Sequence, residues 1–140
     1  MSNPVTNLDR LTAQHAQALI RDANDDIETT VTKTLGVLQE DGVYACFLYL
    51  LAREKENGKA VVKELLNLLE GLGFDWNKPM KNGQVDLSPE VVLKHITDHV
   101  TQDLERLLLT KETLEQMLIY ARYGAKAQEA AKQPKEEANP

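Results

Sequence analysis

Apolar residues recur every three or four positions through most of this chain, a spacing typical of one face of an α-helix. Strict alternation of apolar and polar residues, which would indicate half-buried strands, is not found. The pattern therefore predicts five or six helices separated by short breaks. The predicted segments are Asn7–Ala23, a second from Asp25 or Asp26 to Gly42, Val43–Glu56, Lys59–Leu72, a fifth from Pro89 through Leu107, and a last one from Thr110 to about residue 130.

Several residues mark where these helices begin and end. Asp25 or Asp26 is expected to cap the second helix, since an aspartate oxygen accepts hydrogen bonds from free backbone N–H groups. Gly42 is expected to end that helix, because glycine adopts a left-handed conformation without a Cβ clash. Asn57-Gly58 is expected to end the third helix, Ser88-Pro89 to begin the fifth, and Thr110 to cap the last.

The third predicted helix is apolar nearly all round in its first three turns. A helix of this kind is usually the buried centre of a bundle. We therefore expect Leu48 and Leu51 to lie in the core.

Two segments lack the helical pattern. Residues 74–87 contain Pro79 and Asn82-Gly83, and predict a loop. From Ala131 the chain consists largely of Lys, Gln, Glu, Asn and Pro, which cannot bury enough apolar surface to be ordered. The sequence therefore predicts an all-α fold: a single bundle of five to six helices over residues 1–130, followed by a disordered C-terminal tail over residues 131–140.

Composition narrows the class of protein. The chain has 140 residues, which suits one domain, and a formal net charge of −6. A protein that binds nucleic acid through its total charge is usually basic, so a negative net charge does not indicate one. A local basic face matters more than the net charge. A lone cysteine, Cys46, and the lack of a signal-peptide pattern indicate a reducing, cytoplasmic location. The longest apolar run is too short for a membrane span, so no membrane partner is expected.

The most evident catalytic candidate is the group His95, Asp98, His99 and Asp103. Histidines four residues apart share a helical face and can bind one metal ion, as in a metal-dependent hydrolase. The sequence supplies no third ligand, so the alternative is a solvated polar face. Cys46 lies in the most apolar helix and is expected to be a core residue rather than a nucleophile. We therefore expect no catalytic residue, no metal site and no cofactor.

Basic side chains form two sets. One surrounds the junction of the third and fourth helices, and the other lies on the last helix beside Tyr120 and Tyr123. A tyrosine can stack on an unpaired base while a nearby cation holds a phosphate. The alternative is ordinary solvated helix surface, with neighbouring glutamates that cancel the charge. The candidate nucleic-acid-binding residues are Arg53, Lys55, Lys59 and Lys63 in the first set, and Arg122 and Lys126 in the second.

Two blocks of sequence resemble a known family. The block Lys33–Leu69 is similar to a segment of the small subunit of type III-B (Cmr) CRISPR effector complexes, the fifth Cmr subunit. Its turn is Asp41-Gly42-Val43, followed by the apolar helix Ala45–Leu51. The block Thr113–Ala127 resembles the closing helix of that family, with Arg122-Tyr123 at its basic–aromatic pair.

This resemblance implies a non-catalytic subunit, not an enzyme. Several copies would stack along a ribonucleoprotein and line part of the groove for the guide and target RNA. The implied partners are the repeated backbone subunits, the large polymerase-like subunit and further copies of the chain itself. A helical protein–protein adaptor, or a homo-oligomeric module with no nucleic acid partner, remains the alternative.

Overall fold

The amphipathic segments fold into six α-helices in the computed structural model, which describes residues 7–21, 23–24 and 26–132. The all-α prediction is confirmed. The one short 3-10 segment in this part of the chain is Val100–Gln102. The helices are α1 (Leu8–Arg21), α2 (Ile27–Asp41), α3 (Val43–Arg53), α4 (Glu56–Gly71), α5 (Pro89–Asp98) and α6 (Leu104–Lys132).

A small hairpin lies inside the segment predicted to be a loop. Strands β1 (Met80–Lys81) and β2 (Gln84–Val85) pair antiparallel around the two-residue turn Asn82-Gly83. Both turn residues have positive φ, 53° and 79°, as Asn-Gly favours in hairpin turns. The prediction of a loop is therefore wrong for the two short strands, Met80–Lys81 and Gln84–Val85. Trp76, upstream of the hairpin, is buried in the core.

The core is one continuous cluster between the helices. The long helix α6 packs along α1 and α2, α4 packs on α1 and α3, and α5 covers α3. In α2 the apolar residues at helical spacing, Ile27, Val31, Leu35 and Leu38, are all buried. In α6 the buried apolar residues are Leu114, Met117, Leu118, Ala121 and Ala125.

Gly42 joins α2 to α3 as predicted. Its φ is 99°, a conformation that favours glycine, and its N–H donates to the Leu38 carbonyl oxygen at 3.0 Å. The cap predicted at the other end of α2 is not found at Asp26, whose side chain makes no capping hydrogen bond. Asp25 lies outside the described residues. Instead, Asn24 Oδ1 accepts from the Asp26 N–H at 2.9 Å.

The prediction that α3 is buried on all sides is wrong. One face is fully enclosed and carries Cys46, Phe47 and Leu50. The opposite face is open, and the Leu48 side chain is 44% exposed. Leu51 is half-buried. Neighbouring helices cover a helix only where they pack on it, so the apolar composition of α3 overstates its burial.

The predicted Asn57-Gly58 stop is also wrong, because both residues lie in the first turn of α4. Gly58 is buried where the start of α4 crosses the end of α3. A Cβ atom added there would lie 2.7 Å from the Leu50 carbonyl oxygen and 2.6 Å from the Glu54 Cβ. Gly58 therefore permits a close approach of two backbones rather than ending a helix.

We expect Gly58→Ala to lower the free energy of unfolding by about 1–3 kcal/mol, because the added methyl group has no room beside the α3 backbone. Gly36→Ala in α2 is the matched control, since a Cβ at Gly36 meets nothing within 4 Å. That control is expected to stabilise the protein by about 0.5–1 kcal/mol, the helix preference of alanine over glycine. Urea unfolding of both variants measures the difference, and equal effects would contradict the close approach.

The boundary between the last two helices differs from the prediction. Helix α5 ends at Asp98, and α6 begins at Leu104 rather than at Thr110, which is buried inside α6. Asp103 supplies the start signal, because its Oδ1 accepts from the Glu105 N–H at 3.0 Å. Helix α6 continues to Lys132, two residues beyond the predicted end of the domain. Of the predicted tail, residues 133–140 lie outside the described residues.

Candidate nucleic-acid interface

The first basic set lies where α3 ends and α4 begins. Arg53 is the last residue of α3, and Lys55 directly precedes α4. Lys59 and Lys63 follow one turn apart on the outer face of α4, because Val61, Val62, Leu65 and Leu66 turn the other face into the core. All four basic side chains are exposed. We call this set, Arg53, Lys55, Lys59 and Lys63, the basic junction.

The basic junction makes one direct ion pair among the described residues, although the carboxylates of Asp26, Glu54 and Glu56 line the same depression as Arg53 and Lys55. Lys59 pairs with Glu56 at 3.6 Å, but both side chains are largely in solvent, where such a pair is weak. Within the described part of the chain, Arg53, Lys55 and Lys63 make no ion pair. The fold places these four residues around one helix junction, and three of their cations hold no ion pair in the described part of the chain.

Glu54 lies between Arg53 and Lys55 in the chain, and its hydrogen bonds connect the basic junction to α2 and α3. Its carboxylate accepts hydrogen bonds from Tyr49 Oη at 2.7 Å and from Thr30 Oγ1 at 2.8 Å. The Tyr49 hydrogen bond is the main reason that the pKa of Glu54 lies below its ordinary value, so Glu54 is ionised at neutral pH. Burial and the same contact raise the pKa of Tyr49 to about 12. Sequence analysis missed this role, because Thr30 and Glu54 are 24 residues apart.

The second basic set is less available. Lys126 Nζ lies 3.4 Å from Glu28 Oε1 on α2. Arg122 is half-buried, and its Nε atom is buried with no hydrogen-bond acceptor in the described part of the chain. The pairing of Lys126 could not be predicted from sequence, since Glu28 is distant along the chain. These two residues are therefore weaker phosphate candidates than the basic junction.

The tyrosines beside this second set point to the other edge of α6. Tyr120 Oη donates a hydrogen bond to Asp9 Oδ1 on α1. Tyr123, 63% exposed, lines a groove between α1 and α6. Lys126 faces α2 instead, so the aromatic and basic side chains lie on opposite edges of the helix. The predicted combination of base stacking and phosphate binding at one place is not formed here.

The histidine group does not assemble a metal site. The rings of His95 and His99 lie 4.6 Å apart between centroids, and His99 Nδ1 is 2.9 Å from the His95 carbonyl oxygen. Asp98 binds Lys94 at 2.8 Å, and Asp103 lies 3.6 Å from Arg106. In residues 7–132, apart from 22 and 25, no group of three or more His, Cys, Asp or Glu side chains is arranged to hold a metal ion.

His95 is enclosed within the bundle. The residue is buried, and burial is the main cause that lowers its pKa below the ordinary histidine value. Its Nε2 atom is buried with no hydrogen-bond partner among the described residues. The neutral ring is therefore the form present at pH 7, and it lies beside the ring of His99.

We expect purified protein to contain no stoichiometric zinc, because a third ligand is missing from the histidine pair in the described part of the chain. Elemental analysis after dialysis against a weak chelator checks this, with His99→Ala as the matched variant. About one zinc per chain that disappears in His99→Ala would contradict this arrangement and favour the hydrolase alternative.

Two further residues, Cys46 and His15, have defined environments in the fold. Cys46 is fully buried, and burial raises its pKa to about 12, so the thiol is not a nucleophile. His15 on α1 contacts the Glu64 carboxylate and connects α1 to α4. That contact joins residues 49 positions apart and gave no signal in the sequence.

Comparisons with known proteins identify no relative: no family model, no curated protein and no solved structure matches this chain. Among the helices in the described ranges, none is both long enough and apolar enough to cross a membrane.

Proposed function

We propose that this chain is a non-catalytic small subunit of a type III-B CRISPR effector complex, and that its basic junction contacts the backbone of the guide–target RNA. The observation that carries the proposal is the exposure of Arg53, Lys55 and Lys63 without a carboxylate partner in the described part of the chain. Phosphate contacts require cations of this kind, since a cation already held by a carboxylate gains less from a phosphate.

The geometry of the junction favours recognition of the RNA backbone over recognition of base sequence. Tyr49 is the aromatic residue of α3 nearest in sequence to Arg53, and its hydroxyl donates a hydrogen bond to Glu54. The exposed Tyr123 belongs to the groove on the far edge of α6. Phosphate contacts without base contacts position an RNA and carry no sequence information. This suits a subunit that must accept any guide sequence.

The family resemblance supports the same proposal. The block Lys33–Leu69 covers most of α2 and all of α3, and ends inside α4, so it includes the whole basic junction. The block Thr113–Ala127 lies within α6. In that family the partners are the backbone subunits, the large polymerase-like subunit, further copies of the same chain, and the guide and target RNA. With a net charge of −6, a single copy would bind RNA weakly, and the assembled complex would supply the remaining contacts.

One observation favours the adaptor alternative. The groove between α1 and α6 has a volume of about 630 Å³ and a floor of small or apolar residues, Ala13, Ala16, Ile20 and Gly124. Tyr123 stands exposed at its wall. A groove of this kind fits a protein segment better than a nucleic acid backbone, because it offers few cations.

Reconstitution separates the two functions. The chain is co-expressed with type III-B backbone and large subunits and a guide RNA, and it alone carries the affinity tag. Our proposal predicts that the backbone subunits and the guide RNA are recovered together with the tagged chain, including after a salt wash that removes nonspecific RNA. Recovery of a protein partner with no guide RNA would favour the adaptor. Recovery of the tagged chain alone would contradict membership of the complex.

A further inference from the structure

The chain contains two Asn-Gly pairs, and the structure places them in opposite environments. Asn82-Gly83 forms the tip of the hairpin, and Asn57-Gly58 lies in the first turn of α4. Asn-Gly is chemically the most labile asparagine sequence, because glycine leaves the following backbone nitrogen unobstructed. The nitrogen can attack the asparagine side chain only where the local backbone can rearrange.

Asn82 has the freedom that this reaction requires. The residue is exposed, and its side chain makes no hydrogen bond in the described part of the chain. The hairpin that holds it has two residue pairs, Met80–Val85 and Lys81–Gln84, and three of these four residues are exposed. The base of the hairpin is held by the hydrogen bond from the Asp86 N–H to the Pro79 carbonyl oxygen at 2.8 Å and by the packing of Val85 on the core. The turn lies at the opposite, exposed end, so it opens without unfolding the helices.

Asn57 lacks that freedom. Its Nδ2 donates to Asn24 Oδ1 at 3.1 Å, and the side chain is half-buried. Gly58, whose nitrogen would be the nucleophile, is buried in the tight crossing of α4 over α3. The backbone rotation needed for attack would break the helix start and that crossing. Deamidation of Asn57 in the folded protein therefore requires the junction to unfold.

We infer that Asn82 is a site of spontaneous deamidation in the folded protein, and that the fold protects Asn57. The backbone nitrogen of Gly83 forms a bond to Cγ of Asn82 while the Cγ–Nδ2 bond breaks. The amide hydrogen of Gly83 leaves with Nδ2 as ammonia, and a five-membered succinimide remains. Water then opens the ring at either carbonyl and yields aspartate or isoaspartate at position 82. No oxidant, reductant or enzyme takes part.

The product changes the surface locally. Either product adds a negative charge next to Lys81, and isoaspartate also lengthens the backbone by one methylene group at the turn. Turn type and length set the Lys81–Gln84 register, so the longer turn is expected to weaken the hairpin in that product. The basic junction belongs to other elements, the end of α3 and the start of α4, and keeps its geometry. A stored preparation of this protein would therefore accumulate charge variants in which the basic junction, the RNA-binding surface of the proposed function, is unchanged.

The test incubates the full-length folded protein at mildly alkaline pH and 37 °C, where this ring closure is promoted. Samples taken over time are digested with pepsin at acidic pH, which stops the reaction, and the peptides that contain each asparagine are quantified by mass spectrometry. We expect product at Asn82 to accumulate while the Asn57 peptide stays unchanged. Asn82→Gln removes the early charge variant seen by ion exchange, because a six-membered ring closes much more slowly.

A denatured sample completes the design. In concentrated urea both asparagines are expected to react at similar rates, since the fold no longer separates them. Product at Asn57 that matches Asn82 in the folded protein would overturn the inference. An intact Asn82 in the folded protein, over a time in which the denatured chain reacts, would also overturn it, because the hairpin would then protect the turn.

Discussion

Phe47→Ala is expected to lower the free energy of unfolding by about 3–5 kcal/mol, the cost of removing a large aromatic side chain from a packed core. Phe47 is fully buried, and it is the largest of the fully enclosed side chains in the described structure. The truncation leaves a cavity on the face of α3 that also carries Cys46 and Leu50. Urea unfolding followed by circular dichroism measures the change in midpoint and slope.

Leu48→Ala is the matched control, because Leu48 is the next residue of the same helix and faces solvent. Its effect is expected to stay within about 0.5 kcal/mol, as for other surface substitutions. Destabilisation of similar size in the two variants would mean that both faces of α3 are covered, in contradiction to the fold described above.

The contrast between α2 and α3 shows what sequence periodicity predicts. In α2, polar residues interrupt the apolar ones at helical spacing, and the apolar residues from Ile27 to Leu38 form a buried stripe. In α3, apolar residues occupy almost every position, so the pattern has no phase and cannot tell Phe47 from Leu48. Which face is buried depends on where neighbouring helices pack, and that is a property of the whole fold.

The errors at helix ends have a similar cause. Glycine both ends helices and permits close backbone contact, and Gly58 does the second only because α3 crosses it. Thr110 and Asp103 are both residue types that begin helices, but Asp103 directly precedes α6 while Thr110 is buried within it. The local sequence is compatible with several helix boundaries, and tertiary packing determines which of them form.

The sequence predicted where the basic residues of the candidate site lie along the chain, but not which of them hold ion pairs in the fold. Sequence spacing alone located the cations of the basic junction on one stretch of chain. It could not show that Glu28 pairs with Lys126, or that Tyr120 turns towards Asp9. These interactions join distant parts of the chain, and they make the second basic set a weaker candidate than the first.

Lys55→Glu/Lys63→Glu is expected to weaken RNA binding by the assembled complex about ten- to hundredfold for each phosphate contact that is lost, since one hydrogen bond to a charged group contributes about 1.5–3 kcal/mol. Neither lysine holds an ion pair in the described chain, so the fold should be preserved. The slope of log affinity against log salt concentration should become shallower by about 0.7 to 0.9 for each RNA phosphate that a lysine no longer neutralises. Fluorescence anisotropy with several target sequences over a salt series provides both quantities.

Two control variants make that result specific. Arg10→Glu/Lys81→Glu changes the net charge by the same amount at exposed positions of α1 and the hairpin, and is expected to leave affinity nearly unchanged. Arg122→Glu/Lys126→Glu tests the second basic set and is expected to have the smaller effect, because Glu28 already holds Lys126. An equal reduction of affinity in all three variants would show that total charge, and not the basic junction, governs binding.

Ultraviolet cross-linking of the assembled complex tests the proposed function most directly. The complex is loaded with guide and target RNA and irradiated, and the cross-linked peptides of this chain are identified by mass spectrometry. We predict that cross-linked nucleotides occur on peptides from the end of α3 and the first two turns of α4, which contain Arg53, Lys55, Lys59 and Lys63. Cross-links confined to other subunits, with this chain present in full amount, would contradict the proposal that its basic junction contacts RNA.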